Sequence, residues 1–110
     1  MTGKSFVAVN HIKVRPEYRA RFEELFSTRA RAIDTMPGFH HMEVLKPSSD
    51  EAAYLVVSHW DDEPSFRAWV GSPEFIEGHK HGFADLAEAK ARGEEPPMHS
   101  DFHTYEVLTR

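Results

Sequence analysis

Residues 53–64, Ala53-Tyr54-Leu55-Val56-Val57-Ser58-His59-Trp60-Asp61-Asp62-Glu63-Pro64, read as a strand that runs directly into a helix. The β-branched and aromatic residues up to Trp60 carry the densest strand signal in the chain. Asp61 and Asp62 then offer a cap, Glu63 places negative charge at the positive end of a helix, and Pro64 suits a first turn. The strand is apolar on both sides, with Tyr54, Val56 and Trp60 alternating against Leu55 and Val57. A sheet built around it therefore seeks cover on both faces.

Upstream, Pro47–Glu51 reads as a hairpin connection, so Phe39–Lys46 is expected to pair antiparallel with this strand. Before it, Tyr18, Phe22, Leu25, Phe26 and Ile33 recur at helical spacing within Glu17–Met36 and predict an amphipathic helix that Pro37-Gly38 ends. A further strand, Phe6–Val14, opens the pattern. Downstream, Phe66, Trp69 and Val70 form the expected buried face of the second helix. Gly71-Ser72-Pro73-Glu74 is a stop followed at once by a fresh cap and first-turn proline, so the helix is expected to break before Phe75, Ile76 and His79. A short helix over Phe83–Arg92, a loop over Gly93–Pro97 suited to a flap, and a last strand over Asp101–Leu108 complete the chain. The order βαββαβ predicts an α+β, ferredoxin-like fold: a four-stranded antiparallel sheet with its helices on one face. A second copy of the chain is the simplest cover for the other face, which predicts a sheet-to-sheet homodimer.

At 110 residues, 1–110 is expected to be a single domain. The net charge of −5, without a dense basic cluster, argues against nucleic acid as a partner. The absence of cysteine excludes a disulfide, a thiolate nucleophile and a Cys-based metal site, so any metal is held by His or carboxylate or arrives inside a cofactor. No apolar run is long enough to cross a bilayer, and Met1–Ser5 lacks the start of a secretion signal; a cytoplasmic protein with no membrane partner is expected.

Three residues invite chemistry. Asn10 shares a strand side with Phe6, Ala8, Ile12 and Val14, so its amide either bonds to backbone or is aimed into a pocket. Trp69 is either a helix anchor or a pocket wall. His79 falls on one helical face with Phe75 and Ile76 and is expected to point inward, as a satisfied core group or as a ligand to haem iron. His81, two residues on, projects elsewhere and cannot share a metal with it. His40, His41, His59, His99 and His103 show no ligand spacing along a helix face and are read as ordinary surface residues.

Ala8-Val9-Asn10, Met36-Pro37-Gly38-Phe39, Trp60-Asp61, Phe66-Arg67-Ala68-Trp69 and Phe75-Ile76-Glu77-Gly78-His79-Lys80-His81 are together similar to the antibiotic-biosynthesis-monooxygenase-like domains. Within these the chain resembles the IsdG-like haem-degrading monooxygenases of bacteria, over nearly its whole length; an Asn, a Trp and a His ten residues after that Trp mark this branch. The resemblance implies a dimeric α/β barrel and an enzyme that uses haem as both substrate and cofactor, opening the porphyrin with O2 and releasing iron. It implies that His79 ligates the iron, that Asn10 is a distal donor near dioxygen, and that Trp69 is a bulky wall. Phe26 and Arg29 match further haem-contacting positions of mycobacterial members. No flavin or nicotinamide pattern is visible, so electrons are expected from an external reductase or small reductant. The segment Gly82–Ser100 departs from the family pattern. The alternatives are a cofactor-independent monooxygenase of a polycyclic phenol or quinol, with His79 as a base, and a haem carrier without turnover.

Overall fold

The alternating strands meet in one sheet of order β2-β3-β1-β4, with β1 at Phe6–Val14, β2 at Phe39–Leu45, β3 at Tyr54–Trp60 and β4 at Met98–Glu106. The computed structural model describes residues 5–27 and 32–110. Every neighbouring pair of strands is antiparallel, which is the expected ferredoxin-like arrangement. Phe6, Ala8, Asn10 and Ile12 stand beside Trp60, Ser58, Val56 and Tyr54 of β3 and beside Glu106, Thr104, Phe102 and Ser100 of β4. This face carries the helices. Val7, Val9 and His11, paired with His59, Val57 and Leu55, point the other way.

The helix-side core divides in two. Phe6, Ile33, Trp60 and Trp69 form one buried cluster, against which Phe66 and Phe75 pack. Ile12, Phe22 and Tyr54 form the other, joined by Phe26, Val56 and Met98. The two largest buried side chains keep their polar atoms satisfied: Trp60 Nε1 donates to Ser58 Oγ at 2.9 Å, and the Tyr54 hydroxyl donates to Glu23. Asn10 lies on β1 between Phe6 and Ile12, hence between the two clusters.

Several expected boundaries move. Of the helix expected over Glu17–Met36, the described residues form a 3-10 turn at Pro16–Tyr18, α1 at Arg19–Ser27 and a 3-10 turn at Ala32–Thr35, while 28–31 lie outside the described residues. Ile33 sits in the second 3-10 turn, whose side chains repeat every three residues, so the α-helical spacing does not apply to it. In this turn Thr35 Oγ1 donates to the Ala32 carbonyl at 2.9 Å, a local bond that competes with a regular helix. Gly38, at φ +81°, then swings the chain into β2, and a Cβ there would collide with the Ser65 side chain.

α2 spans Glu63–Val70 and is capped by Asp62, whose carboxylate accepts from Ser65 N. Trp69 is buried as expected, but Val70 is 44% exposed and leaves the expected buried face. α3 runs unbroken from Pro73 to Ala91, so the separate helix expected over Phe83–Arg92 is the second half of α3. Gly82 does not break it: its place in a continuous hydrogen-bond ladder outweighs a propensity cost of about 1 kcal/mol. The loop after it is confined to a few residues before β4, which begins at Met98 instead of Asp101. The Pro97 carbonyl accepts from Arg15 N at 3.0 Å and fixes that entry. Among the described residues no helix is long and apolar enough to cross a membrane.

Candidate active site

Ser72 sets the geometry of the site. Its hydroxyl donates to the Trp69 carbonyl at 2.7 Å and accepts from Phe75 N at 3.2 Å, stitching the end of α2 to the start of α3. The expected break is therefore a fixed corner that brings residues of both helices together. Trp69 meets Phe75 edge to face at 5.4 Å and lies 6.2 Å from the His79 ring.

Along α3, Phe75, His79 and Phe83 follow at intervals of four and stack, with centroids 4.2 Å apart from Phe75 to His79 and 5.4 Å apart from His79 to Phe83. This corrects the expected inward face: Ile76 is 57% exposed, and His79 is itself exposed instead of buried in the core. Phe83 replaces Ile76 because it lies directly one turn beyond the imidazole. His79 Nδ1 lies 2.7 Å from the Phe75 carbonyl, which can only accept, so Nδ1 carries the proton. Nε2 is left with a lone pair and can bind a metal.

The far end of α3 is held from below. The Tyr18 hydroxyl donates to Asp85 Oδ2 at 2.5 Å, and Arg21 Nε donates to the same oxygen at 3.0 Å. Burial raises the Tyr18 phenol far above its ordinary range, and the Asp85 carboxylate adds to the effect. Burial also pushes Asp85 upward, but the hydrogen bonds from Arg21 and Tyr18 and the guanidinium charge bring it below the usual aspartate value.

On the sheet, Asn10 Oδ1 is buried without a hydrogen-bond partner among the described residues. A buried amide left open is costly, and turning it over presents a donor to the same spot. Its cross-strand neighbours, Val56 and Phe102, are apolar and offer it no side-chain partner. Phe26 packs beside Phe22 at 5.0 Å in the second cluster. Arg29 lies outside the described residues. Trp69 and His79 are thus brought together, whereas Asn10 stands apart from their ring contacts, on the sheet face that carries the helices. A depression of about 340 Å³ lined by Phe6, Asp62, Glu63, Thr104, Tyr105 and Glu106 contains none of these three residues.

Sequence reasoning missed Phe83 and Asp85, although both follow at helical spacing once α3 is continuous. It also missed that His41, Glu43 and His59 converge on the other face of the sheet. That grouping depends on strand register and has no fixed spacing along the chain.

The family model for antibiotic biosynthesis monooxygenase matches residues 5–81. A haem oxygenase (mycobilin-producing) of Mycobacterium tuberculosis is 36% identical over 67 residues, covering 61% of this chain and 64% of that protein. The chain therefore matches just under two thirds of the length of this mycobacterial relative. A haem oxygenase (staphylobilin-producing) of Staphylococcus haemolyticus is 34% identical over 79 residues, covering 69% of this chain and 74% of that protein. Among solved structures, the haem degrader MhuD of Mycobacterium tuberculosis, with two haems bound in its active site, superposes with a TM-score of 0.68. The two share 28% identity, over 96% of this chain and 97% of the other. SnoaB, a cofactor-independent oxygenase of Streptomyces nogalater, reaches a TM-score of 0.72 over 98% of this chain and 97% of its own, at 21% identity, which is a likeness of fold.

Proposed function

The chain belongs to the antibiotic biosynthesis monooxygenase family, and from that premise we propose that it is a haem-degrading monooxygenase, an oxidoreductase that opens the porphyrin ring and releases iron. The observation that carries this reading is the state of His79. Its Nδ1–H is engaged by the Phe75 carbonyl, which orients the exposed ring and leaves the Nε2 lone pair for a ligand. A carbonyl on the far nitrogen is the usual way in which a protein fixes the tautomer of an iron-binding imidazole.

Haem, the substrate, would supply the iron at which dioxygen is activated; electrons would come from an external reductase or small reductant. The chain's own residues do the rest. His79 would hold the iron through Nε2, in the role of metal ligand. The stacked Phe75 and Phe83 rings resist rotation of that imidazole. Trp69 would form a rigid wall against a bound macrocycle beside His79. Asn10 offers a hydrogen-bonding amide between the two apolar clusters, where it can bias the position of attack. Phe26 adds apolar contact from the second cluster, and Arg29 is a candidate contact for a haem carboxylate.

The same reading treats residues 1–110 as one domain in the cytoplasm and as a protomer of a homodimer. Val7, Val9, Leu55 and Val57 share the face away from the helices, and Leu45 and Tyr105 are 44% and 48% exposed there. A second sheet laid on that face removes this apolar area from water. A monomeric mass by light scattering at micromolar concentration would contradict the dimer.

The test of function is a hemin titration followed by ascorbate under air. A Soret shift that His79→Ala abolishes, then loss of the Soret band with reductant, is the expected result. Absence of a shift turns the assignment to the cofactor-independent alternative; a shift without turnover turns it to a carrier.

A further inference from the structure

On the face of the sheet opposite the haem-site candidates, β2 and β3 bring two imidazoles and a carboxylate together. A β-bulge produces this. Regular alternation puts Phe39 and His41 on the same side of β2, but the register shifts between them, so Phe39 opposes Trp60 in the core while His41 opposes His59 outside. His40 is turned separately, toward Asp61. Glu43, two residues beyond His41, returns to the outer side, where its Oε1 is 3.8 Å from His59 Nε2. The His41 and His59 rings stack at 4.2 Å with 16° between their planes. Candidate ligand atoms of His41, Glu43 and His59 all lie within 4.8 Å of one another.

We propose that His41, Glu43 and His59 form a binding site for a borderline divalent transition-metal ion of the Zn2+ type, distinct from the iron of a bound haem. Two imidazole nitrogens and one carboxylate oxygen suit such an ion, whereas Ca2+ and Mg2+ prefer all-oxygen sets. Tetrahedral coordination at about 2.0–2.1 Å places ligand atoms about 3.3 Å apart. His41 and Glu43 are exposed and His59 is only partly buried, so rotation about side-chain bonds closes the difference without moving the strands. Three protein ligands leave a fourth position for water or for a group from a second chain. The site lies beside Val57 and Val7, at the β2 edge of the apolar face, so a metal there sits at the rim of a sheet-to-sheet dimer.

The experiment uses the tag-free full chain and Zn2+ in competition with a chromogenic chelator near pH 7.5. About one Zn2+ per chain is expected, with affinity lowered about ten-fold or more by His41→Ala or His59→Ala and unaffected by the control His99→Ala. Circular dichroism melts establish that each variant is folded. Co2+ added to the unsubstituted chain should give visible d–d absorption that Zn2+ displaces, a readout independent of any variant. Hemin binding should survive in the same variants, because the haem-site candidates lie on the other side of the sheet. Absence of bound Zn2+, or affinity unchanged in folded His41→Ala and His59→Ala proteins, overturns the proposal.

Discussion

The rings of Trp69 and His79 lie with centroids 6.2 Å apart across the corner between α2 and α3. Trp69 is also 6% exposed within the cluster of Phe6, Ile33 and Trp60, so one side chain both anchors the fold and borders the candidate ligand. Trp69→Ala is expected to cost about 3–5 kcal/mol, the range for emptying a large aromatic site in a core. Denaturant unfolding measures it. A loss of only a few tenths would mean that the indole is not a packing element.

Gly78, the residue before His79, is mid-helix, and a Cβ placed there would sit 3.7 Å from Trp69 Cη2, an ordinary van der Waals contact. Gly78→Ala therefore gains helix propensity without a clash and is expected to stabilise the chain by about 0.5–1 kcal/mol. A lowered melting temperature would show that the α2–α3 corner has less room than this contact implies.

The fastening of α3 to Tyr18 and Arg21 carries two opposite pH dependences. Asp85 titrates below the ordinary aspartate value when folded, so its contribution is complete above about pH 3.9 and is lost as pH falls through the folded value. Tyr18 titrates above the ordinary tyrosine value, so its contribution is complete below about pH 10 and is lost as pH rises through the folded value. Melting temperature against pH should therefore fall at both ends. Asp85→Asn should flatten the acid limb and Tyr18→Phe the alkaline limb, each with some loss at neutral pH. Unchanged limbs in both variants would show that these bonds do not couple α3 to the fold.

Much of this architecture was legible where a local signal and a burial demand agreed. Residues 53–64 read as a strand and a capped helix start, both of which the structure bears out. The corner at Ser72 was readable because a cap and a first-turn proline act within four residues. Continuity through Gly82 was not, because a single glycine's propensity is weak against tertiary packing. Apolar spacing alone also misjudged the helix over Glu17–Met36, since Ile33 sits in a 3-10 turn with a different side-chain period. Asn10, Trp69 and His79 were selected by pattern, but the tautomer of His79 and the open amide of Asn10 depend on atoms that no spacing specifies.

Asn10 gives the sharpest separation between folding and chemistry. Because its Oδ1 is buried without a partner among the described residues, that oxygen is a burden on the folded chain unless a ligand satisfies it. Asn10→Ala should then leave the stability of the ligand-free protein unchanged or raise it, by up to about 1–3 kcal/mol of relieved desolvation, with the melting temperature moving the same way. The small side chain also leaves His79 and its bond to Phe75 intact, so the variant should still bind hemin with a His79-dependent spectrum. What it should lose is rate, or the normal distribution of products. An amide set in place before reaction acts on charge that develops during the chemistry, and losing one such group typically costs about 2.7–4 kcal/mol of barrier, a factor of about 10²–10³. Thermal melting beside single-turnover loss of the Soret band with ascorbate makes the comparison in one protein preparation. A folded Asn10→Ala protein that turns over at the normal rate, to the normal products, would remove Asn10 from the catalytic site. One that melts several degrees earlier would show instead that the amide is bonded within the fold.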